Sequence, residues 1–184
     1  MPLEVWNTIF AGATFAVIAA TAVAAVVQLR HLRATNQLSS LLTIMEMWAT
    51  PEMQLHMRLM RTELKERLKD PAALSAYEQP GVSRADHPEM LIADFWEQVG
   101  TIVKYDLLDE DVLFDIANAT ITNAWRDLAP IIAVQRRRSG PSVFENFEYI
   151  AVRARQWAAA HPNGAYPRGV PRMSDLDAAQ DSKT

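Results

Sequence analysis

Two small groups of side chains have the types and spacing that acid–base or metal chemistry requires. Glu52 and His56 are four residues apart, which places them on one face of a helix. The second group consists of His87, Glu89 and Asp94. Residues at this spacing are usually solvated side chains, because a reactive group needs burial and several convergent partners. We therefore predict no catalytic residue and no metal site, and we retain a membrane-tethered, metal-dependent enzyme built on Glu52 and His56 as an alternative.

Composition and motifs exclude several other chemistries. The 184 residues include no cysteine, which excludes disulfides, thiolate-bound zinc and cysteine nucleophiles. The six glycines stand apart from one another, so the sequence has no phosphate-binding loop, and neither G-x-S-x-G nor H-E-x-x-H occurs. The formal net charge of −4 argues against nucleic-acid binding, which needs a basic face. We predict that the protein uses no cofactor and binds no nucleic acid.

Three consecutive arginines have two interpretations. Arg136, Arg137 and Arg138 come just before Gly140, so they fit the last turn of a helix, where cations face its negative end. Three charges are fewer than the roughly four to eight that lipid recognition uses. A contact with an anionic membrane surface stays open as the second interpretation, and with it the role of a lipid-sensing regulatory subunit.

The N-terminal segment is the most informative element of the sequence. No residue from Val5 to Leu29 carries a formal charge, and a helix of that length spans roughly 37 Å, enough to cross a hydrocarbon core of about 30 Å. A cleavable signal peptide would start with basic residues, yet Lys and Arg are absent before Arg30. We predict a transmembrane anchor over residues 1–30, with a signal peptide and a buried soluble helix as the alternatives.

Charges on either side of the anchor predict its orientation. Glu4 precedes the span, while Arg30, His31 and Arg33 follow it. Under the positive-inside rule, the C-terminal side stays in the cytoplasm. We expect a single-pass protein of the inner (plasma) membrane whose N-terminus lies outside and whose C-terminal domain is cytoplasmic, with the lipid bilayer as its first partner.

The anchor also carries a stripe of small residues. Its members recur every four positions and are Gly12, Ala16, Ala20 and Ala24. Small side chains let two helix backbones approach closely in lipid, where packing drives helix association. This small stripe predicts self-association or association with another membrane protein, and the alternative is accidental spacing in an alanine-rich span.

Apolar residues at helical spacing continue beyond the anchor. They are Leu38, Leu41, Leu42, Met45 and Trp48. No proline or glycine interrupts residues 13–50, so the anchor and this extension are predicted to form one long helix. The apolar stripe predicts a face that docks on the domain below, with a short coiled-coil seam as the alternative.

Capping residues and prolines mark the helices that follow. Thr50-Pro51-Glu52 starts a helix that runs to about residue 69, where Asp70-Pro71 ends it. A connector over residues 70–88, with a short turn around 72–77, precedes a buried helix at about 88–105.

Two more helices complete the pattern. A helix opened by Asp109 continues to Gly140, and Pro130 inside it should kink or split it. Ser142-Val143-Phe144-Glu145 matches a capping box and predicts that Ser142 caps a last helix ending at about residue 160.

No segment has the pattern of a strand, so the predicted fold class is all-α. One N-terminal transmembrane helix continues into a cytosolic bundle of four to five helices, which occupies residues 31–160. Residues 161–184 are rich in Pro, Gly, Asp and Ser and are predicted to form a disordered tail.

Three blocks of the sequence resemble a known family. They are the uncharged span running into QLRHLRATNQ, then FWEQVGTIVKYDLLDEDVLFD, and finally VFENFEYIAVRARQW. They are similar to a bacterial membrane-anchored family catalogued as domain of unknown function 4760, over about residues 5–157. The residues that carry the resemblance are Trp96, Gly100, Leu107-Leu108-Asp109, Trp125, Glu145-Asn146-Phe147 and Trp157. The resemblance implies a helical fold behind one membrane helix, and it carries no activity and no functional residue.

These observations together predict a function that does not involve catalysis of a reaction. We expect a single-pass membrane protein whose cytosolic helices form an interaction or scaffold module. The alternatives are the tethered metal-dependent enzyme and the lipid-sensing regulatory subunit described above.

Overall fold

All regular structure in the described part of the protein is helical. The computed structural model describes residues 2–79 and 81–181. Over these ranges a long apolar N-terminal helix leads into a helical bundle, which confirms the predicted all-α fold class. Met1, Pro80 and residues 182–184, which the predicted anchor, connector and tail include, lie outside the described residues.

The first helix, α1 (Leu3–Ala49), is continuous over 47 residues. The predicted fusion of anchor and extension into one helix is therefore confirmed. Its end is set by Thr50 and Pro51: the Thr50 hydroxyl accepts a hydrogen bond from the Met53 amide at 3.3 Å, and Pro51 occupies the first position of the next helix.

By length and composition, α1 can cross a membrane. A signal sequence or the core helix of a soluble protein can meet the same criterion. A core helix is mostly buried, however, whereas none of the most apolar part of α1 is buried against the rest of the described chain.

Short helices follow α1 and lead to the bundle. Helix α2 (Pro51–Leu59) passes through a π-helical turn (Met60–Leu64) into α3 (Lys65–Arg67). The next two elements are α4 (Pro71–Ser75) and a 3₁₀ turn (Ala76–Glu78). The predicted helix end near residue 69 and the predicted short turn in the connector are both present.

Three longer helices form the bundle. They are α5 (Glu89–Lys104), α6 (Glu110–Ser139) and α7 (Glu145–Ala160). Their facing sides bury apolar residues completely, among them Met90, Ile92, Ile121, Leu128, Phe147 and Ile150. Each such side chain contributes about 1.5–3 kcal/mol through its removal from water.

Ion pairs at both ends fix α6 and α7 as antiparallel neighbours. Arg136 Nη1 lies 2.7 Å from Glu148 Oε2 near the start of α7. Arg153 Nε, farther along α7, donates to Glu110 Oε2 at 3.0 Å at the start of α6. Helix α6 is continuous from Glu110 to Ser139, so Pro130 does not split it.

The start of α7 differs from the predicted capping box. Ser142 does not cap α7. The N-cap residue of α7 is Phe144, which has the left-handed conformation (φ 55°) and makes no side-chain hydrogen bond to the start of the helix. Glu97 of α5 takes over the capping role: its carboxylate accepts hydrogen bonds from the Phe147 amide at 2.8 Å and from Asn146 Nδ2 at 2.7 Å. A long-range acceptor therefore replaces the local one that the sequence motif suggested.

The chain after α7 contains one more element. Helix α8 (Met173–Asp181) forms within the predicted disordered tail, where the sequence pattern predicted no helix. The described side chains of residues 162–177 are exposed, as expected for a segment with little apolar content.

Candidate functional site

The predicted docking stripe on α1 divides into two faces. Ile44, only 7% exposed, enters the core, and Leu41 and Trp48 pack against it. The Trp48 ring lies 5.3 Å from that of Phe95 and 5.0 Å from that of Trp96, between ring centroids. Part of the predicted docking face is therefore confirmed, and Ile44 is the docking residue that the sequence analysis missed.

The remaining members of that stripe do not dock, contrary to the prediction. Leu38, Leu42 and Met45 are 56%, 50% and 44% exposed. They are spaced four and three residues apart, so they form one apolar strip on the helix surface. We call these three residues the juxtamembrane stripe, because they follow the predicted transmembrane anchor along α1.

The small stripe of the anchor is also free in the described chain. Gly12, Ala16, Ala20 and Ala24 are all exposed, and a Cβ added at Gly12 would meet no atom within 4 Å. The four small residues therefore line a surface on which a second helix backbone can approach without a clash.

Helix geometry relates the two stripes to each other. An α-helix turns roughly 100° per residue, so the mean directions of the small stripe and the juxtamembrane stripe differ by only roughly 30°. The docked residues Leu41, Ile44 and Trp48 point roughly 90° away from the juxtamembrane stripe. Because α1 is continuous, both stripes lie on one side of it and the bundle lies on another.

The three arginines at the end of α6 have partners within the protein. Arg136 donates to the Val143 carbonyl at 2.9 Å, and its guanidinium lies 5.6 Å from the centre of the Trp125 ring. Arg138 donates to the Glu78 carbonyl at 2.6 Å, while Arg137 lies 3.6 Å from the Glu78 carboxylate. These contacts tie the end of α6 to its neighbours, and a role at an anionic surface stays a prediction.

The structure brings Glu52, His56 and Asp94 to one cavity, but Asp94 is paired with Arg84. Glu52 and His56 line this cavity of about 340 Å³ together with Asp94 and Met53. Asp94 is held by Arg84, whose Nε and Nη2 both lie 2.7 Å from its carboxylate oxygens. Among residues 2–79 and 81–181, no three His, Asp or Glu side chains are arranged to hold a metal ion.

Sequence reasoning named His87 and Glu89 but missed Arg67 and Tyr77, which complete a buried polar cluster around Glu89. This side chain is 4% exposed, and Arg67 Nη2 donates to its Oε1 at 2.5 Å. The Tyr77 hydroxyl donates to the same oxygen, and His87 Nδ1 lies 3.2 Å from it. The cluster therefore joins α3, the 3₁₀ turn and the start of α5.

Burial and hydrogen bonding set the charge states in this cluster. Burial raises the pKa of Glu89, but the hydrogen bonds from Tyr77 and Arg67 outweigh burial and hold that pKa below its ordinary value. Burial and the hydrogen bond to Glu89 raise the pKa of the Tyr77 hydroxyl above its ordinary value. Glu89 is thus an anion with two donors at neutral pH, which makes the cluster a structural tie between elements.

Residues that carry the family resemblance hold the bundle together. Gly100 is the contact point of α5 and α7, because an added Cβ would overlap the backbone carbonyl of Asn146. Trp125 packs edge-on against Phe147 with ring centroids 5.1 Å apart. Leu108 is buried in the turn between α5 and α6. These positions explain the shared motifs by packing, without assigning chemistry to them.

Comparisons with other proteins bear on the family alone. No curated protein and no solved structure matches the chain. A family model described as a domain of unknown function, DUF4760, matches residues 15–154. This range includes the second half of the apolar span and the whole helical bundle through most of α7. The chain therefore belongs to the DUF4760 family.

Proposed function

We propose that the protein is a single-pass membrane protein that pairs with a second copy of itself along α1 and carries its helical bundle as a cytoplasmic interaction module. One observation carries the proposal: α1 is one continuous helix whose small stripe and juxtamembrane stripe are both exposed on the same side. The bundle docks elsewhere on α1, so it leaves this side open.

The exposed apolar surface of α1 supports insertion into a bilayer. Phe10, Phe15, Val17, Ile18 and Val23 are all largely exposed. Soluble monomers rarely leave contiguous apolar patches above a few hundred Å² in water. In a hydrocarbon environment these apolar side chains are not exposed to water, and the length of the helix suits a bilayer.

The continuity of α1 argues against a cleaved leader. A signal peptide would be separated from the mature domain by a cleavage site in an accessible segment. Here the apolar helix runs without a break into Ile44 and Trp48, which pack into the bundle. Removing the apolar part would therefore leave the bundle with a truncated first helix.

Charges at the end of the span support the proposed orientation. Arg30 and Arg33 follow the apolar stretch directly, whereas Glu4 precedes it. The positive-inside rule then leaves the bundle on the cytoplasmic side of the inner membrane.

The two stripes suit helix pairing in two different environments. Within the bilayer, small residues spaced by four allow close backbone contact. In water, Leu38, Leu42 and Met45 have the alternating four- and three-residue spacing of a coiled-coil seam. A pair of α1 helices would bury both stripes at once and would hold two bundles side by side, which is the geometry of a membrane scaffold.

Cysteine cross-linking in isolated membranes tests the pairing. The natural chain has no cysteine, so every cross-link reports only the introduced residue. Ala20→Cys and Leu38→Cys should form disulfide-linked dimers on oxidation, because the disulfide requires two Cα atoms within about 7 Å.

Matched controls lie two residues away from each test position. Ala22→Cys and Asn36→Cys point roughly 160° round the helix from Ala20 and Leu38, so they should stay monomeric. Equal cross-linking of Ala20→Cys and Ala22→Cys would indicate random collisions in the membrane. An absence of dimers in all four variants would contradict the proposed pairing.

A further inference from the structure

A groove of about 780 Å³ lies between the π-helical turn and the middle of α6. Four cationic side chains line it, namely Arg61, Lys65, Lys69 and Arg126. Among the described residues that line it, Asp127 is the only acidic one. We call this feature the basic groove, and it stands out in a chain whose formal net charge is −4.

Two of the four cations are not neutralised. Lys69 lies 2.7 Å from Glu66, and Arg126 lies 3.0 Å from Asp127, so these two cations have acidic partners. Arg61 and Lys65 form no ion pair with any residue in the described part of the chain. The groove therefore has an excess of about two positive charges.

The π-helical turn places the free cations together. Arg61 lies within this turn and Lys65 follows it directly, four residues later. Residues four apart on a helix are neighbours on its surface. Single π-helical turns inside α-helices occur frequently at functional sites, where the wider turn repositions side chains.

The rest of the lining is apolar. Met60, Leu68 and Pro130 form the wall and floor beside the cations. The volume falls in the range of about 300–1,000 Å³ that is typical of small-molecule sites. A ligand that fits this lining has an anionic group for the cations and an apolar part for Met60, Leu68 and Pro130.

A phosphate monoester matches the charge and the donors. It carries about 1.5–2 negative charges at neutral pH, close to the excess charge of the groove. Guanidinium and ammonium groups are the usual partners of phosphate, and the guanidinium can bind two of its oxygens at once.

The position of the groove favours a soluble ligand over the headgroups of the surrounding membrane. The C-terminal end of α5 shares a cavity with Arg33, next to the apolar span, whereas its first residue, Glu89, pairs with Arg67 beside the groove. The 16 residues of α5 separate these two ends by roughly 24 Å. This separation exceeds the screening length of about 8 Å in physiological salt.

We propose that the basic groove binds a soluble organic phosphate of nucleotide size, with its phosphate between Arg61 and Lys65 and its apolar part against Met60, Leu68 and Pro130. The argument from position rests on the proposed anchor, while the binding itself does not. Ligand binding next to α6 would give the membrane scaffold a means to respond to a soluble metabolite.

Calorimetric titration of the full chain in a neutral detergent tests this proposal. AMP and ATP are the probes, and inorganic phosphate provides the comparison without an apolar part. We expect AMP and ATP to bind more tightly than inorganic phosphate. Arg61→Gln combined with Lys65→Gln should weaken nucleotide binding by about a hundredfold, since each of the two lost charge-assisted hydrogen bonds is worth about one factor of ten.

Arg58→Gln is the matched control, because Arg58 is exposed on α2 but does not line the groove. It should bind the nucleotides as the natural chain does, and a circular-dichroism melt should show that all variants remain folded. No binding of either nucleotide, or equal binding by the double variant, would overturn the proposal.

A second experiment distinguishes a soluble organic phosphate from the phosphate of lipid headgroups. The titration is repeated in nanodiscs of phosphatidylcholine, with and without phosphatidylglycerol, at constant ionic strength. Equal affinity supports a soluble ligand, and a loss of nucleotide binding with phosphatidylglycerol would overturn that assignment in favour of lipid headgroups. Failure of the chain to enter nanodiscs would contradict the anchor, while the detergent titration would still decide the groove.

Discussion

At the scale of single residues, one glycine sets the distance between α5 and α7. Gly100 faces the backbone of Asn146, and next to it Glu97 caps the start of α7. The glycine and the acid act as a pair, because Glu97 can reach the Phe147 amide only when the two helices approach this closely. Phe144 has the left-handed conformation and gives α7 no local side-chain cap, so Glu97 supplies the acceptor from α5.

Replacing Gly100 with Ala should therefore destabilise the bundle. The added Cβ overlaps the Asn146 carbonyl, and overpacking of this kind costs about 1–3 kcal/mol, so the thermal unfolding temperature should fall. Gln98→Ala is the control, because Gln98 is exposed on the same helix and lies outside the small stripe. If circular dichroism showed equal melting temperatures for the two variants, the close approach of α5 and α7 would be refuted.

The charge of Glu89 predicts how stability depends on pH. The folded protein holds the pKa of Glu89 below that of the unfolded chain, so the unfolded chain takes up the proton first as pH falls. The stabilisation from Glu89 is therefore complete above about pH 4.3 and is lost as pH falls through the folded-state pKa.

Glu89→Gln should remove this part of the acid sensitivity. The variant should be less stable at neutral pH by about 2 kcal/mol, because the charged hydrogen bonds to Arg67 and Tyr77 are weakened. Its stability should also change less between pH 6 and about pH 3 than that of the natural chain. Denaturant unfolding across this range measures both effects, and parallel pH profiles would show that Glu89 is not the responsible group.

At the scale of helices, the division of the apolar stripe on α1 separates stability from association. Ile44 enters the core, whereas Leu42 is half exposed. Ile44→Ala should lower the free energy of unfolding of the bundle by about 2–5 kcal/mol through the lost contacts and the cavity left behind. Leu42→Ala should change the free energy of unfolding by less than about 0.5 kcal/mol, but it should weaken dimer formation. If Leu42→Ala destabilised the bundle and Ile44→Ala weakened only the dimer, the docking face and the pairing face of α1 would be the reverse of those proposed.

Several helix boundaries, though not the start of α7, were predictable from local signals. Thr50-Pro51, Asp109 and Gly140 act within a few residues of their own helix ends, and each marks an end in the structure. The mean position of a stripe on a helix was also predictable from spacing. The sequence did not predict which residues of that stripe dock on the bundle. Leu41 and Leu42 are adjacent in the sequence, and which of them docks depends on Phe95 and Trp96, far along the chain.

The parts that sequence reasoning missed all depend on distant partners. Glu97 caps a helix that begins about fifty residues later, and no local motif encodes this contact. The Glu89 cluster joins three elements through Arg67 and Tyr77, which are unremarkable residues within their own segments. The basic groove likewise needs α6 beside the π-helical turn before its charges form one surface.

At the scale of the whole molecule, α1 would connect the proposed membrane anchor to the bundle through one continuous helix. Its apolar part has no cover within the described chain, and its end is packed into the bundle. A change in how two copies pair in the membrane would therefore change how their bundles face each other. Because α1 is continuous, ligand binding to the bundle would in turn change how two copies pair along α1.

The most direct test of this account is the native mass of the full chain extracted in a mild detergent at normal expression. We predict a complex of two chains, which Ala16→Leu combined with Ala20→Leu converts to monomers, because the larger side chains separate the helix backbones. Ile18→Leu is the control, because Ile18 is exposed and points roughly 180° away from the mean direction of the small stripe, and it should leave the dimer intact. A monomer for the natural chain, or an unchanged dimer in the double variant, would contradict pairing along α1.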